Sequence, residues 1–195
     1  MKVNYKSPLF LIFLGIILCF AGWCILLKTE THNPSITTTS ASEESKHSCS
    51  AKVYFSPNGG CEWEIIRAIG TAKKQIRVLS YSFTSEPIAQ ALILLSMGGV
   101  DVQVVIDSGS AKRSEAENLV SNGVKVYLDS NHAIMHNKVI IIDTDLVLTG
   151  SYNYSEAAST RNAENLVIIR SKNLTMKYLE NWEHHKSHSK LKEKW

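Results

Sequence analysis

Between Lys138 and Asp143 stand four consecutive β-branched residues, Val139, Ile140, Ile141 and Ile142. Such a run is short for a helix, and β-branched side chains lose rotamer freedom there, so it reads as a strand buried on both faces. A strand of that kind belongs in a sheet covered by helices on either side. The chain supplies them. Short β-branched runs at 53–55, 76–82, 100–106, 124–127, 138–142, 146–149 and 166–169 alternate with amphipathic stretches at 62–73, 87–97, 114–121 and 174–188. Thr84 or Ser85 can cap the second stretch, Pro87 fits its first turn, and Gly98-Gly99 ends it, as Asn122-Gly123 ends the third. The fold class expected is α/β, with a mixed, largely parallel sheet flanked by helices on both faces.

Ahead of this region, residues 8–27 form a run of 20 without one charge, long enough as a helix to cross roughly 30 Å of hydrocarbon. Lys2 and Lys6 precede it, which places the N-terminus inside and the rest of the chain across the membrane. Residues 1–28 are therefore read as a transmembrane anchor or signal segment. An uncleaved anchor would hold the domain on the outer side of an inner membrane, facing the periplasm or exterior. Cleavage would release it, although Thr39-Ser40-Ala41 lies far from the apolar run. Residues 29–50 hold eleven Ser or Thr and no apolar periodicity, and read as a linker; residues 51–195 have the size of one globular domain. Beyond the anchor only Cys49 and Cys61 remain. Two states fit them, a disulfide in an oxidising compartment or two reduced thiols.

The chemistry concentrates around the buried strand. His136, Lys138 and Asp143 make an H-x-K-x4-D pattern, followed by Gly150-Ser151-Tyr152-Asn153 and then by Asn162-Ala163-Glu164-Asn165. Two positions apart at a strand entrance, His136 and Lys138 project to the same side, so an imidazole and an ammonium share one pocket. A phosphodiester presents an electrophilic phosphorus ringed by anionic oxygens; it needs a nucleophile and fixed positive or hydrogen-bonding groups. His136 can be the first, and Lys138, Ser151 and Asn153 the second. Glu164, folded back beside His136, would hold its tautomer. Asp143 lies at the far end of the strand, where it would fix the turn through Thr144 and Asp145.

In this order and spacing the pieces resemble the signature of the phospholipase D superfamily. The likeness runs from Val53 to about Trp182 and includes Tyr81-Ser82-Phe83-Thr84, Gly99-Val100-Asp101-Val102 and Leu179-Glu180-Asn181-Trp182. It is to the small, single-motif bacterial members, among them an exported endonuclease and exported phospholipase D-like proteins. The compact scaffold also resembles the mitochondrial member. The resemblance implies a metal-independent phosphodiesterase without cofactor, working through a covalent phosphohistidine, with His136, Lys138, Asp143 and Glu164 as catalytic set and Lys138, Ser151 and Asn153 on the phosphate. It also implies a bacterial source. The full motif occurs once, so two chains should meet about a two-fold axis, each giving one histidine to a shared site.

Substrate is where the readings divide. A formal charge of +3 and the Lys112-Arg113 pair suit nucleic acid, the first choice, as a non-specific endonuclease on DNA or RNA. The anchor at 8–27 and Ile134-Met135 suit the alternative, a phospholipase D releasing lipid headgroups, with a role in lipid catabolism or virulence. Trp63 and Trp182 read as packing residues. His132 could rim the pocket. His184, His185 and His188 include an i, i+4 pair, but the sequence places no carboxylate or cysteine beside them, so no metal site is expected.

Overall fold

The computed structural model describes residues 49–194. The expected anchor at 8–27 and all but the last two residues of the expected linker at 29–50 lie outside the described residues. Their elements in chain order are β1 (Ser50–Ser56), α1 (Cys61–Ile69), β2 (Gln75–Ser80), α2 (Glu86–Met97), β3 (Asp101–Asp107), a 3-10 turn (Ala111–Arg113), α3 (Ala116–Ser121), β4 (Lys125–Asp129), β5 (Lys138–Ile142), β6 (Leu146–Gly150), α4 (Glu156–Thr160), β7 (Glu164–Arg170), α5 (Lys172–Ser187) and β8 (Lys190–Lys192).

The eight strands form one sheet in the order β1-β7-β6-β5-β2-β3-β4-β8. It is mixed, as expected, but parallel pairing is confined to β2-β3-β4; the other neighbours are antiparallel. The reason lies in the connections. Helical crossovers at α2 and α3 return the chain in the same direction, whereas β5 and β6 are joined by the tight turn 143–145, which reverses it. Asp143 adopts φ 52° there, a left-handed conformation that Asp tolerates better than most residues.

Alternation along the strands sorts the core into two layers. Val78, Val104, Ile106, Ile140 and Leu148 face α1, α2 and α3 with Ile65, Ile69, Ile88 and Leu92. Leu79, Val105, Val139, Ile141 and Val147 face α5 across Met135 and Trp182. Ser85 caps α2 by accepting from the Ile88 amide, and its hydroxyl donates to Glu62 on α1 at 2.6 Å. On the opposite face Trp182 is fully buried, and its Nε1 donates to the Val78 carbonyl at 3.0 Å.

Two expectations need correction, and of the two cysteine states left open the structure has the reduced one. Cys49 and Cys61 are both free, Cys49 exposed and Cys61 buried. β1 runs away from Cys49 for seven residues, roughly 20 Å of extended chain, and Gly59 lies against the Phe55 carbonyl at its far end. Cys61 follows two residues later, well beyond the 4.4–6.8 Å or so that a disulfide spans between Cα atoms. Trp63 is not a packing residue, for it is 66% exposed on the outer side of α1. The first helix also stops at Ile69 instead of reaching Lys73, because Gly70 closes it. Two elements, α4 and β8, were not anticipated; at five and three residues they are too short to show a period.

Trp182→Ala should remove about 3–5 kcal/mol of stability, since it empties the α5 layer and removes the indole hydrogen bond to the Val78 carbonyl. Urea unfolding followed by circular dichroism measures it.

Candidate active site

The parallel strands β2, β3 and β4 end at Ser80, Asp107 and Asp129 on one edge of the sheet, and β5 begins there, with Lys138 opposite Ser80. Gly150 at the end of β6 pairs with Leu166 near the start of β7, so Ser151, Asn153 and Glu164 reach the same edge. Carboxyl ends of parallel strands are the usual ligand-binding rim of an α/β sheet. Here the loops 81–85, 108–110, 130–137 and 151–155 converge on it. Asp107 secures two of them, accepting from the amides of Ser110 and Met135, each at 3.0 Å. Ser110 in turn donates its hydroxyl to the Tyr81 carbonyl.

His136 stands exposed at the rim, its ring centroid 4.7 Å from that of Tyr81 at an interplanar angle of 59°. Its ring nitrogens hydrogen-bond to no group among the described residues. Lys138, two residues on, is only 6% exposed. Its Nζ donates to the His136 carbonyl at 2.9 Å and lies 5.4 Å from the Tyr81 ring centroid. Burial pushes the Lys138 ammonium below the ordinary lysine range, and the field of the Glu164 carboxylate partly opposes that fall. A nearly buried cation with one neutral acceptor is therefore held at the rim.

The remaining expected residues fall into place unevenly. The Ser151 hydroxyl accepts from the Asn165 amide at 3.0 Å and from Asn165 Nδ2 at 3.3 Å, which leaves its own proton to donate outward. Gly150 permits this approach: a Cβ there would stand 2.2 Å from the Asn165 carbonyl oxygen. Asn153 Oδ1 is buried and unpartnered, and its side chain makes no hydrogen bond among the described residues. Glu164 does not hold His136. It stands on β7, separated from β5 by β6, accepts from Asn162 Nδ2 at 3.1 Å, and acts on Lys138.

Asp143 is not brought to the rim at all, despite its place in the motif. It sits at the opposite end of β5, where its carboxylate accepts from the amides of Lys73, Lys74 and Gln75 at 2.8–3.1 Å. It thus ties the α1–β2 connection to the sheet instead of fixing its own turn. Burial would raise its carboxyl, but these three amides hold it below the usual range. His132 faces Asp129 at the β4 end of this edge, together with His185 and His188, and makes no hydrogen bond with His136 or Lys138. Burial works to raise the Asp129 carboxyl, yet hydrogen bonds from His185, the Asn131 amide, His188 and His132 outweigh it and hold the group well below the ordinary range. His184 stays exposed outside this cluster. Tyr81 was legible only as part of a resembling run; its contact with His136 had no signal of its own.

A family model described as "Cardiolipin synthase, PLD-like domain" matches residues 65–186, from within α1 to the last turn of α5. A protein of Rickettsia prowazekii named Phospholipase D is 37% identical over 152 residues, covering 77% of this chain and 73% of its own length. The chain belongs to the phospholipase D superfamily. As a superfamily member it is a hydrolase of the phosphodiesterase type. A Xenopus tropicalis protein named Mitochondrial cardiolipin hydrolase is 32% identical over 114 residues, 57% of this chain and 54% of that protein. Among solved structures, the phospholipase D family member Nuc from Salmonella typhimurium superposes with a TM-score of 0.71 at 36% identity, over 74% of this chain and 99% of Nuc. The mixed sheet with helices on both faces is thus the phospholipase D fold.

Two variants separate site from scaffold. Because its folded pKa is depressed, charged Lys138 opposes folding at every pH below that value, and the opposition fades as pH rises toward the ordinary lysine value. Lys138→Met should therefore melt above the wild type at pH 7, with the difference shrinking in alkaline buffer, while phosphodiesterase activity is lost. Asp143→Ala should do the reverse. Three unpaired amides and a strained φ lower stability by about 1–3 kcal/mol, while kcat below the melting transition stays within a few-fold of wild type.

Proposed function

We propose that this chain is a non-specific endonuclease that cleaves nucleic-acid phosphodiesters through His136. The observation that carries the reading is the groove continuing from the rim, lined by Tyr81, Ser82, Phe83, Thr84, Ser110 and Arg113. Its first residue touches the His136 ring and its last is an exposed guanidinium, followed by hydroxyls suited to a phosphate backbone. Lys112 adds a second exposed cation.

In this mechanism the scissile phosphate lies between Lys138, the Ser151 hydroxyl and the Asn153 amide, which offset the charge that builds on its oxygens. One imidazole nitrogen of His136 attacks phosphorus, the P–O bond opposite breaks, and the leaving oxygen takes a proton from a second imidazolium. That second group then removes a proton from water, which attacks the phosphohistidine and restores His136. The second imidazole is His136 of another copy, since the full motif occurs once and one ring cannot work on both sides of phosphorus. The active species is accordingly a two-fold dimer. Neither bond change calls for a metal. The uncharged run at 8–27 would hold the enzyme on the outer side of a membrane.

A second reading, phospholipase D activity on membrane lipid, is favoured by Ile134, 54% exposed two residues before His136, and by the names of the Rickettsia and Xenopus relatives. Met135, its neighbour in the sequence-based case for lipid, is buried in the α5 layer and offers a bilayer nothing.

The deciding experiment sets the purified chain beside His136→Ala, on single-stranded and duplex DNA and RNA and on phosphatidylcholine and cardiolipin vesicles. Cleavage of nucleic acid that falls by about 10^4-fold or more in the variant is expected, with lipid intact. Histidine-dependent headgroup release with intact nucleic acid would make lipid the substrate. Equal activity in both proteins would remove His136 from the chemistry.

A further inference from the structure

Where β4 ends, three imidazoles converge on one carboxylate oxygen. Asp129 Oδ2 lies 2.9 Å from His185 Nδ1, 3.1 Å from His188 Nε2 and 3.2 Å from His132 Nδ1. Each of the four residues offers a ligand atom, and these atoms lie within 4.8 Å of one another. Asp129 and His185 are buried, His188 is half-buried, and His132 covers the cluster with a side chain 40% exposed.

As a plain hydrogen-bond network this arrangement is crowded, with three imidazole nitrogens on one carboxylate oxygen that offers two lone pairs. One carboxylate can neutralise one imidazolium, and three rings with centroids 5.0–5.6 Å apart cannot all be charged without repulsion. A divalent ion in the middle resolves the mismatch, because neutral imidazole nitrogens and a carboxylate are its ligands. With metal–ligand bonds of about 2.0–2.1 Å, the edge of a ligand tetrahedron is about 3.3 Å, close to the three separations found here. We propose that Asp129, His132, His185 and His188 form a tetrahedral site for a divalent transition metal of the zinc class.

Donor type and setting narrow the ion. Three nitrogens and one oxygen favour Zn2+ over Mg2+ or Ca2+, which prefer all-oxygen shells. His185 and His188 lie at the C-terminal end of α5, where the helix dipole favours a cation. Ligation through Nδ1 leaves His185 Nε2 protonated, so the Asn137 side chain 3.4 Å away would turn its amide oxygen toward that nitrogen to accept from it. Four protein ligands leave no open position for substrate, so the ion is structural. It would clamp three separate segments: the end of β4, the loop 130–137 that carries His136, and the turn from α5 into β8.

The site is independent of the substrate reading, and its test needs no activity assay. The full chain is stripped with chelator, returned to Zn2+ or Co2+, and examined for metal content, melting temperature and, with Co2+, the intense visible absorption of four-coordinate cobalt. One ion per chain is expected, with a melting temperature raised by about 5–10 °C at a hundredfold excess over Kd. His132→Ala, a change in an exposed loop that spares the apo fold, should weaken binding at least tenfold, and Asp129→Asn should abolish the cobalt bands. His184→Ala should change nothing. Metal content no higher than in Asp129→Asn, or loss of binding in His184→Ala but not in His132→Ala, would overturn the proposal; the latter would put the ion on the exposed His184–His188 pair. Chelated protein should still turn over below its lowered melting temperature, which separates this ion from the chemistry at His136.

Discussion

The antiparallel pairing of β5 with β2 is the contact on which the rest of the molecule depends. It joins the parallel part of the sheet to the antiparallel part, and its register sets Lys138 against Ser80 at the rim and Ile142 against Ile76 at the far end. Both strands are buried on both faces, so a slip of one residue would turn Lys138 into the α5 layer and drive an apolar side chain out at the rim. The two ends are pinned separately. Asp143 grips the 73–75 backbone at one, and Asp107 and Ser110 hold the rim loops at the other.

This arrangement lets a small domain keep a cation where it is unfavourable for folding. Lys138 is desolvated, its ammonium bonded to a neutral carbonyl and balanced only partly by Glu164. Placed in water the same group would bind a phosphate weakly; at the rim its hydration is already gone, so its attraction for an anion is stronger. Ser151 keeps a hydroxyl proton to donate after accepting from Asn165, and the Asn153 side chain is left without a hydrogen bond among the described residues. Scaffold and site thus pull in opposite directions at residue 138, whereas residue 143 serves the scaffold alone.

Much of this could be read from the residues in order. Four β-branched residues in a row imply a strand with two covered faces, and the spacing of His136, Lys138, Ser151 and Asn153 brings them to one rim of the sheet. Other features were hidden because they depend on distance through space. Asp143 completes a motif yet stands a strand's length from it. Cys49 and Cys61 bracket one strand and so are held apart by it. Met135 and Trp63 exchange the roles that hydrophobicity alone assigns, one buried under a loop, the other exposed on a helix.

The histidines near the C-terminus show the division most clearly. The sequence by itself determined that His184, His185 and His188 share a helical stretch, and that a phosphodiesterase signature lies some 50 residues before them. Which of them face inward, and toward what, was decided by β8, three residues that pair with β4 and bring the end of α5 back to Asp129 and His132. A helical period is local and survives in the sequence. The meeting of a strand end, a loop and a helix end depends on which edge of the sheet is left open, and that is settled only when the strands have paired.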